Sequence, residues 1–428
     1  MELTEWIGAQ MRRSTEAMER AISATHLRRS RNVFGQVVVP AKGSVLASPA
    51  IADWNPEPDY FFHWIRDSAI VMRVVADLME DAPDENARRH WRGLFEDFVR
   101  FSLALTALDG AAFLDRKSFR DETREDYRKF LRPDAEIAEL AGDTLLGEPR
   151  FNPDGSIDVF RWSRPQYDGP ALRAIACLRY LAAGGEESDE TARVLRRDLD
   201  FTILHAGECC IGPWEEADEN THHYYVALAQ LGAVVHGHAW IDAATRTAVE
   251  HKLRECLAQH WSEQHQVYMA IRPARAGTAD DLVDAAALLA VLDADLPHGP
   301  HSIVDPRVQQ TFAVIEDVFA REFPINAGRT APALGRSRKD RYFGGGAWYP
   351  TTLAAASLCY RLARRDERHE WLTRGDAYMA TVRALTPDDG SLSEQVDRVT
   401  GKQTSARDLT WSYAAFISAA LLRAKALR

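Results

Sequence analysis

Apolar residues recur at helical spacing along nearly the whole chain, and the connections between these stretches differ sharply in character. In 66–79, Ile70, Val71, Val74, Val75 and Leu78 fall on one face, and in 409–424 Leu409, Tyr413, Phe416 and Ala420 do the same. The same reading predicts helices near 3–25, 88–107, 170–184, 190–206, 221–236, 240–258, 281–293, 305–321, 350–364 and 366–384. Pro170 and Pro350 suit first-turn positions, and Asp408 suits an N-cap. Strand signals are confined to Val37–Val39 and Ser44–Leu46. Short connections favour antiparallel neighbours, so every second helix points the same way. Six inner helices, starting near 66, 170, 221, 281, 350 and 409, backed by six outer ones, predict an all-α closed double ring. No linker or low-complexity segment interrupts the chain, so 1–428 is read as one domain.

The elaborate connections precede inner helices: WNPEPDYFFHWIRD (54–67), GEPRFNPDGSIDVFRWSRPQYDGP (147–170), GPWEEADEN (212–220), GRSRKDRYFGGGAWYP (335–350) and GSLSEQVDRVTGKQTSARDLTW (390–411). In the double ring they crowd around one mouth, where function is expected. They carry Trp, Tyr, Arg, Asp and Glu, a mixture suited to a sugar. Aromatic rings stack on pyranose C–H faces, and Arg and Asp hydrogen-bond hydroxyls. Acetal cleavage needs two carboxyl groups from separate loops facing across a pocket. Glu215 or Glu216, together with Glu394, meet that need.

Other chemistries are poorly represented. A formal charge of −11, from 52 Lys+Arg against 63 Asp+Glu, leaves no basic run for nucleic acid; ARVLRRD (192–198) reads as one solvated helix face. Five irregularly spaced cysteines read as free thiols rather than a disulfide framework. His222–His223 and His236–Gly237–His238 lack the spacing that puts two imidazoles on one helix face. Asp280–Asp281 reads as helix capping rather than a magnesium site. No apolar run is long enough to span a membrane, and MELTEWIGAQMRR lacks a basic-then-apolar leader, so a cytoplasmic protein is expected.

Five motifs in order, YFFHWIRDSAI (60–70), GEPRFN (147–152), RPQYDGPALRA (164–174), PWEE (213–216) and SEQ…SARDLTWSYAA (393–415), resemble glycoside hydrolase family 15, the glucoamylase-like enzymes. The likeness runs from about residue 33 to 425. It implies an (α/α)6 barrel, inverting release of β-glucose from non-reducing ends of α-glucosides, and no metal or organic cofactor. By the same resemblance Glu215 is the general acid and Glu394 the general base. Tyr60 lies near the attacking water, and Arg66 and Asp67 grip the terminal glucose. Trp64, Trp162, Trp214 and Trp411 wall the pocket, Arg336 and Tyr342 contact sugar, and Glu216 supports binding beyond the first ring. Ser393 and Gln395 are expected to orient Glu394, and Arg407 or Arg66 to keep it ionised. Apolar walls from Trp214 and Trp162 are expected to favour the protonated form of Glu215. The run Gly344–Gly345–Gly346 departs from the family pattern and predicts a barer or more mobile wall.

The implied partner is a small oligosaccharide, neither nucleic acid nor membrane. Isomaltose and isomalto-oligosaccharides are expected ahead of malto-oligosaccharides. Trehalose or dextran hydrolysis and a catalytically silent sugar-binding toroid are the alternatives, and retention of both glutamates speaks against the silent toroid.

Overall fold

The structure is a computed structural model that describes residues 2–116, 119–216, 220–272, 283–366 and 369–428. Twelve helices of nine residues or more lie within the described residues: α1 (Leu3–Arg20), α2 (Ile65–Glu80), α3 (Glu85–Leu105), α4 (Asp168–Ala182), α5 (Asp189–Leu204), α6 (Tyr224–His236), α7 (Ala243–Ala258), α8 (Ala286–Ala294), α9 (Pro306–Glu322), α10 (Tyr349–Asp366), α11 (His369–Leu385) and α12 (Thr410–Ala426). The even-numbered helices form the inner ring. Each packs on the next, and α12 returns to α2 to close the circle. The odd-numbered helices back them from outside. This is the (α/α)6 barrel expected from the sequence.

The two rings differ in composition for a physical reason. Two inner helices are enclosed by neighbours on almost every side and are apolar nearly all round: Tyr224 through Val234 of α6 and every residue of α8 are buried. Outer helices bury one stripe, as in α3 with Trp91, Phe95, Phe98, Phe101 and Leu105. Buried ion pairs tie the layers. Arg173 of α4 grips Asp198 of α5 through two bonds of 2.7 and 2.8 Å. Within the inner ring, Arg73 of α2 meets Asp293 of α8 at 3.1 Å.

Helix starts divide the same way. Outer helices take side-chain caps: Asp84 for α3, Ser188 for α5, Asp242 for α7 and Asp305 for α9. The N-cap positions of α2, α4, α6 and α12 are Trp64, Tyr167, His223 and Leu409, none of which caps by its side chain. Loop carbonyls serve instead: Ile65 N donates to Pro149 O (3.0 Å), Tyr224 N to Ala270 O (2.9 Å) and Thr410 N to Ala47 O (2.9 Å). Asp408 is therefore not the cap of α12. It sits at φ 48° and accepts from Tyr413 Oη at 2.5 Å.

Strand content is small. β1 (Arg29–Arg31) pairs with β2 (Gln36–Val38), close to the expected Val37–Val39. Ser44–Leu46 is not a strand; Val45 makes only a lone bridge to Ile22. Two pairings absent from the sequence reading stitch the mouth loops: β3 (His63–Trp64) with β4 (Arg150–Phe151), and a three-stranded ribbon in which β6 (Gln395–Val396) lies between β5 (Ala347–Trp348) and β7 (Gln403–Thr404). The five cysteines are free. Asp280–Asp281 lie outside the described residues. No helix among the described residues is long and apolar enough to cross a membrane.

Candidate functional site

A cavity of about 410 Å³ opens where the N-terminal ends of the inner helices converge. Its wall includes every residue expected to catalyse or to contact sugar: Tyr60, Trp64, Arg66, Asp67, Trp162, Trp214, Glu215, Glu216, Arg336, Tyr342, Glu394 and Trp411. The volume lies in the range of small-molecule sites.

Glu215 is held in a tight turn, with its N–H donating to Gly212 O at 3.0 Å and its φ at 59°. A non-glycine residue at positive φ stores strain, so the surroundings must enforce it. Four donors converge on the side chain. Oε1 accepts from Trp64 Nε1 (2.8 Å), Arg66 Nη2 (3.1 Å) and Gln166 Nε2 (2.9 Å), and Oε2 from Trp162 Nε1 (2.6 Å). The expectation of apolar walls around this carboxyl is therefore corrected: the indoles present their N–H edges to it. The indole of Trp214 turns away, donating to both oxygens of Asp284 at 2.9 Å. Asp284 caps the backbone at Ala286, and burial lifts its carboxyl to about 7.

Arg66 is the hub on this side. Nη1 also bonds Gln166 Oε1 (3.0 Å) and Asp168 Oδ2 (3.1 Å), and Nε lies 3.4 Å from Asp67. Arg66 Nε and Asp67 Oδ2 are buried against each other in that ion pair and make no other hydrogen bond in the protein. Burial raises Asp67 to about 6 against the pull of Arg66.

Glu394 occupies another part of the wall, at 3 % exposure. It precedes β6, which the ribbon fastens to the 335–348 loop. Its Oε2 accepts a short bond from Ser405 Oγ. Ser393 and Gln395 do not touch the carboxylate. Ser393 Oγ donates to Gln395 O (2.5 Å), and Gln395 Oε1 accepts from Gly346 N (3.0 Å), so these residues shape the backbone under it. Arg407 is turned outward to Glu57 at 2.6 Å, and Arg66 is engaged with Glu215, Asp168 and Asp67. The cation that favours an ionised Glu394 is Arg336. Burial nevertheless lifts the group to about 7, against the opposing pull of Ser405, Arg336 and Tyr60.

The remaining wall joins the two carboxyl groups. Tyr60 Oη and Tyr342 Oη are 2.6 Å apart, and both phenols are raised by burial and then by Glu394. Arg336 is clamped by Asp340 at 2.5 and 2.9 Å. Trp348 packs on Trp214, ring centroids 5.4 Å apart. Glu216 stands exposed at the mouth. Gly345 and Gly346 are packing requirements rather than slack. A Cβ on Gly346 would lie 2.3 Å from Val396 O, and one on Gly345 2.2 Å from Asp340 O; only Gly344 faces open space.

Gln166, Asp168, Asp340, Trp348 and Ser405 were not singled out from the sequence, although all lie within the mouth-loop segments quoted there. Among the described residues no group of three or more His, Cys, Asp or Glu is placed to hold a metal ion.

Comparison with known proteins gives the site its context. The chain is 27% identical to a probable glucoamylase of Schizosaccharomyces pombe, over 88% of this chain and 84% of that one. It is 26% identical to an intracellular sporulation-specific glucoamylase of Saccharomyces cerevisiae, over 100% and 85%. Among solved structures, the fold resembles the family 15 glucoamylase of Hypocrea jecorina, with TM-score 0.79, 22% identity, and coverage of 99% of this chain and 72% of that one. It also resembles the glucoamylase of Saccharomycopsis fibuligera, with TM-score 0.75, 21% identity, and coverage of 100% and 96%. Residues 27–108, 102–374 and 372–421 match Glycosyl hydrolases family 15; the chain belongs to that family and is a glycoside hydrolase.

Proposed function

We propose that the protein is an inverting, exo-acting α-glucosidase that releases β-D-glucose from the non-reducing end of short α-glucosides. The observation that carries the reading is the meeting of Glu215 and Glu394, distant in sequence, in one aromatic-lined cavity with different partners around each.

The roles follow from those partners. Oε1 of Glu215 already takes three donors and Oε2 one, so Oε2 has room for a proton and delivers it to the glycosidic oxygen. As the C–O bond breaks, positive charge develops at the anomeric carbon. A water beside Glu394 attacks the opposite face and gives its proton to that carboxylate. The α linkage thereby becomes a β hydroxyl. Arg66 and Asp67 on the cavity wall are the charged pair suited to sugar hydroxyls, and Trp64, Trp162, Trp214 and Trp411 supply apolar faces. Glu216, Arg336 and Tyr342 extend the wall toward the next ring. Walls drawn from five mouth loops surround the cavity and favour entry of a chain end over a chain middle.

Isomaltose-type substrates are proposed ahead of maltose-type ones, and a disaccharide panel decides between them. The similarity to an intracellular glucoamylase supports action inside the cell.

The test is glucose release from a disaccharide panel with NMR of the first-formed anomer. β-Glucose is expected first. Initial α-glucose, or no turnover of any α-glucoside, overturns the reading. Glu394→Gln should lower kcat by about 10²–10⁴-fold while sparing sugar binding, the range for loss of a general base.

A further inference from the structure

The GEPRFN segment carries Arg150, a charged residue with no place in the mechanism above. It is 0 % exposed. Only Nε is hydrogen-bonded, to Asp158 at 2.8 Å, while Nη1 and Nη2 have no partner in the protein. A guanidinium wholly removed from water normally fills its donor sites. This one lies over aromatic rings instead: its central carbon is 3.6 Å from the ring centroid of Trp162, 4.1 Å from that of Phe62 and 4.8 Å from that of Trp64. The stack is fixed from both ends. Phe62 is faced by Arg31 at 4.0 Å, and Arg150 sits on β4 directly opposite Trp64 on β3.

The two indoles under this cation are the two that donate to Glu215, Trp64 to Oε1 at 2.8 Å and Trp162 to Oε2 at 2.6 Å. Their ring planes set where those N–H groups point. A cation on an indole face is held by the ring quadrupole and draws electron density from the ring, which strengthens its N–H as a donor. We propose that Arg150 is a positioning residue for proton donation: it acts through Trp64 and Trp162, fixing both indole N–H groups on the carboxyl of Glu215. This rests on the reading of Glu215 as the general acid. Arg150 exchanges no proton itself. The O–H bond of Glu215 breaks, and a new O–H bond forms on the leaving oxygen as that oxygen departs from the anomeric carbon. Arginine suits the place because its flat group covers two indoles while Nε holds Asp158; the compact ammonium of lysine cannot do both.

The test compares a substrate that needs the acid with one that does not. The leaving oxygen of isomaltose or maltose must be protonated; the fluoride of α-glucosyl fluoride departs with little help. In Arg150→Met, kcat on the disaccharide should fall on the order of 30-fold or more, within the range for impaired acid catalysis, while the fluoride rate falls far less. Arg150→Lys keeps the charge but not the planar stack and should show the same selective loss in milder form. It also provides a folded variant should the methionine disturb the core, as does Arg150→Met combined with Asp158→Asn. Equal losses on both substrates in a folded variant, or no loss on the disaccharide, overturn the proposal. Glu215→Gln is the control for the reading beneath it: if that variant loses both substrates equally, the acid assignment fails independently of Arg150.

Discussion

Glu394 is held between opposing influences. Burial favours its protonated form, and the Ser405 hydroxyl, itself on a residue at φ 64°, favours the ionised form that its proposed role as base requires. Removing that donor has a definite sign. Ser405→Ala deletes a stabiliser of the carboxylate, so the pKa of Glu394 rises. The acidic limb of the pH–kcat/KM profile then moves to higher pH by about half to one unit, the scale of one lost hydrogen bond. A limb that stays put or moves down would disconnect Ser405 from the base. The carboxylates and tryptophans of the cavity were legible because each lies in a short motif whose chemistry is distinctive. Their partners were harder to read. Arg407 is close to Glu394 in sequence, yet the backbone at Ser405 and Asp408 takes positive φ and the arginine faces Glu57. Spacing along a loop carries no direction, so Ser405 could not be preferred over Ser393 until the turn was known.

At the scale of elements, the mouth of the barrel is built by loops that cap helices with their own carbonyls and pair in ribbons of two or three residues. The ribbon β5–β6–β7 is the clearest case, since it sets the height of Glu394 against Trp348 and Arg336. Gly346 permits the close approach of β5 to β6. Gly346→Ala should destabilise the protein by about 1–3 kcal/mol through overpacking against Val396 O. It should also raise KM, because the ribbon carries both Glu394, the proposed base, and the far wall; thermal unfolding and Michaelis kinetics check the two effects. Helices were readable because α6, α8, α10 and α12 are long apolar runs and the outer helices show one-sided stripes with Asp or Ser caps. The ribbons were not, since two residues generate no periodicity. The N-cap assigned to Asp408 failed for a related reason: the inner helices start beneath a layer of loops, and local capping rules do not see donors satisfied from 363 residues away, as Thr410 N is by Ala47 O.

Across the whole molecule, two sets of buried groups pull stability in opposite directions with pH. Burial pushes His63 down to about 3 and His260 and His301 to about 4. Unfolded imidazoles bind protons near 6.5, so this contribution is complete above that pH and is lost as pH falls toward 3–4. Asp67, Asp284 and Glu394 are raised to about 6, 7 and 7. Their protonated forms suit the fold, so stability from this set declines as pH rises from about 4 to 7. Glu394→Gln removes one member of the second set. It should be more stable than the parent by roughly 1–3 kcal/mol at pH 8, with the difference vanishing near pH 4.5. Equal unfolding curves at pH 8 would mean that Glu394 is not strained by its burial.

The closed ring has one more consequence. Arg423 near the end of α12 bonds Thr4 near the start of α1, at 3.1 Å, so the circle of staves has a seam but no privileged beginning. Tying α12 to α1 with a short linker and cutting instead between the exposed His238 and Ala239 preserves every inner neighbour. Such a permuted chain should fold and turn over substrate, whereas deleting α12 alone leaves a barrel with a missing stave and should do neither.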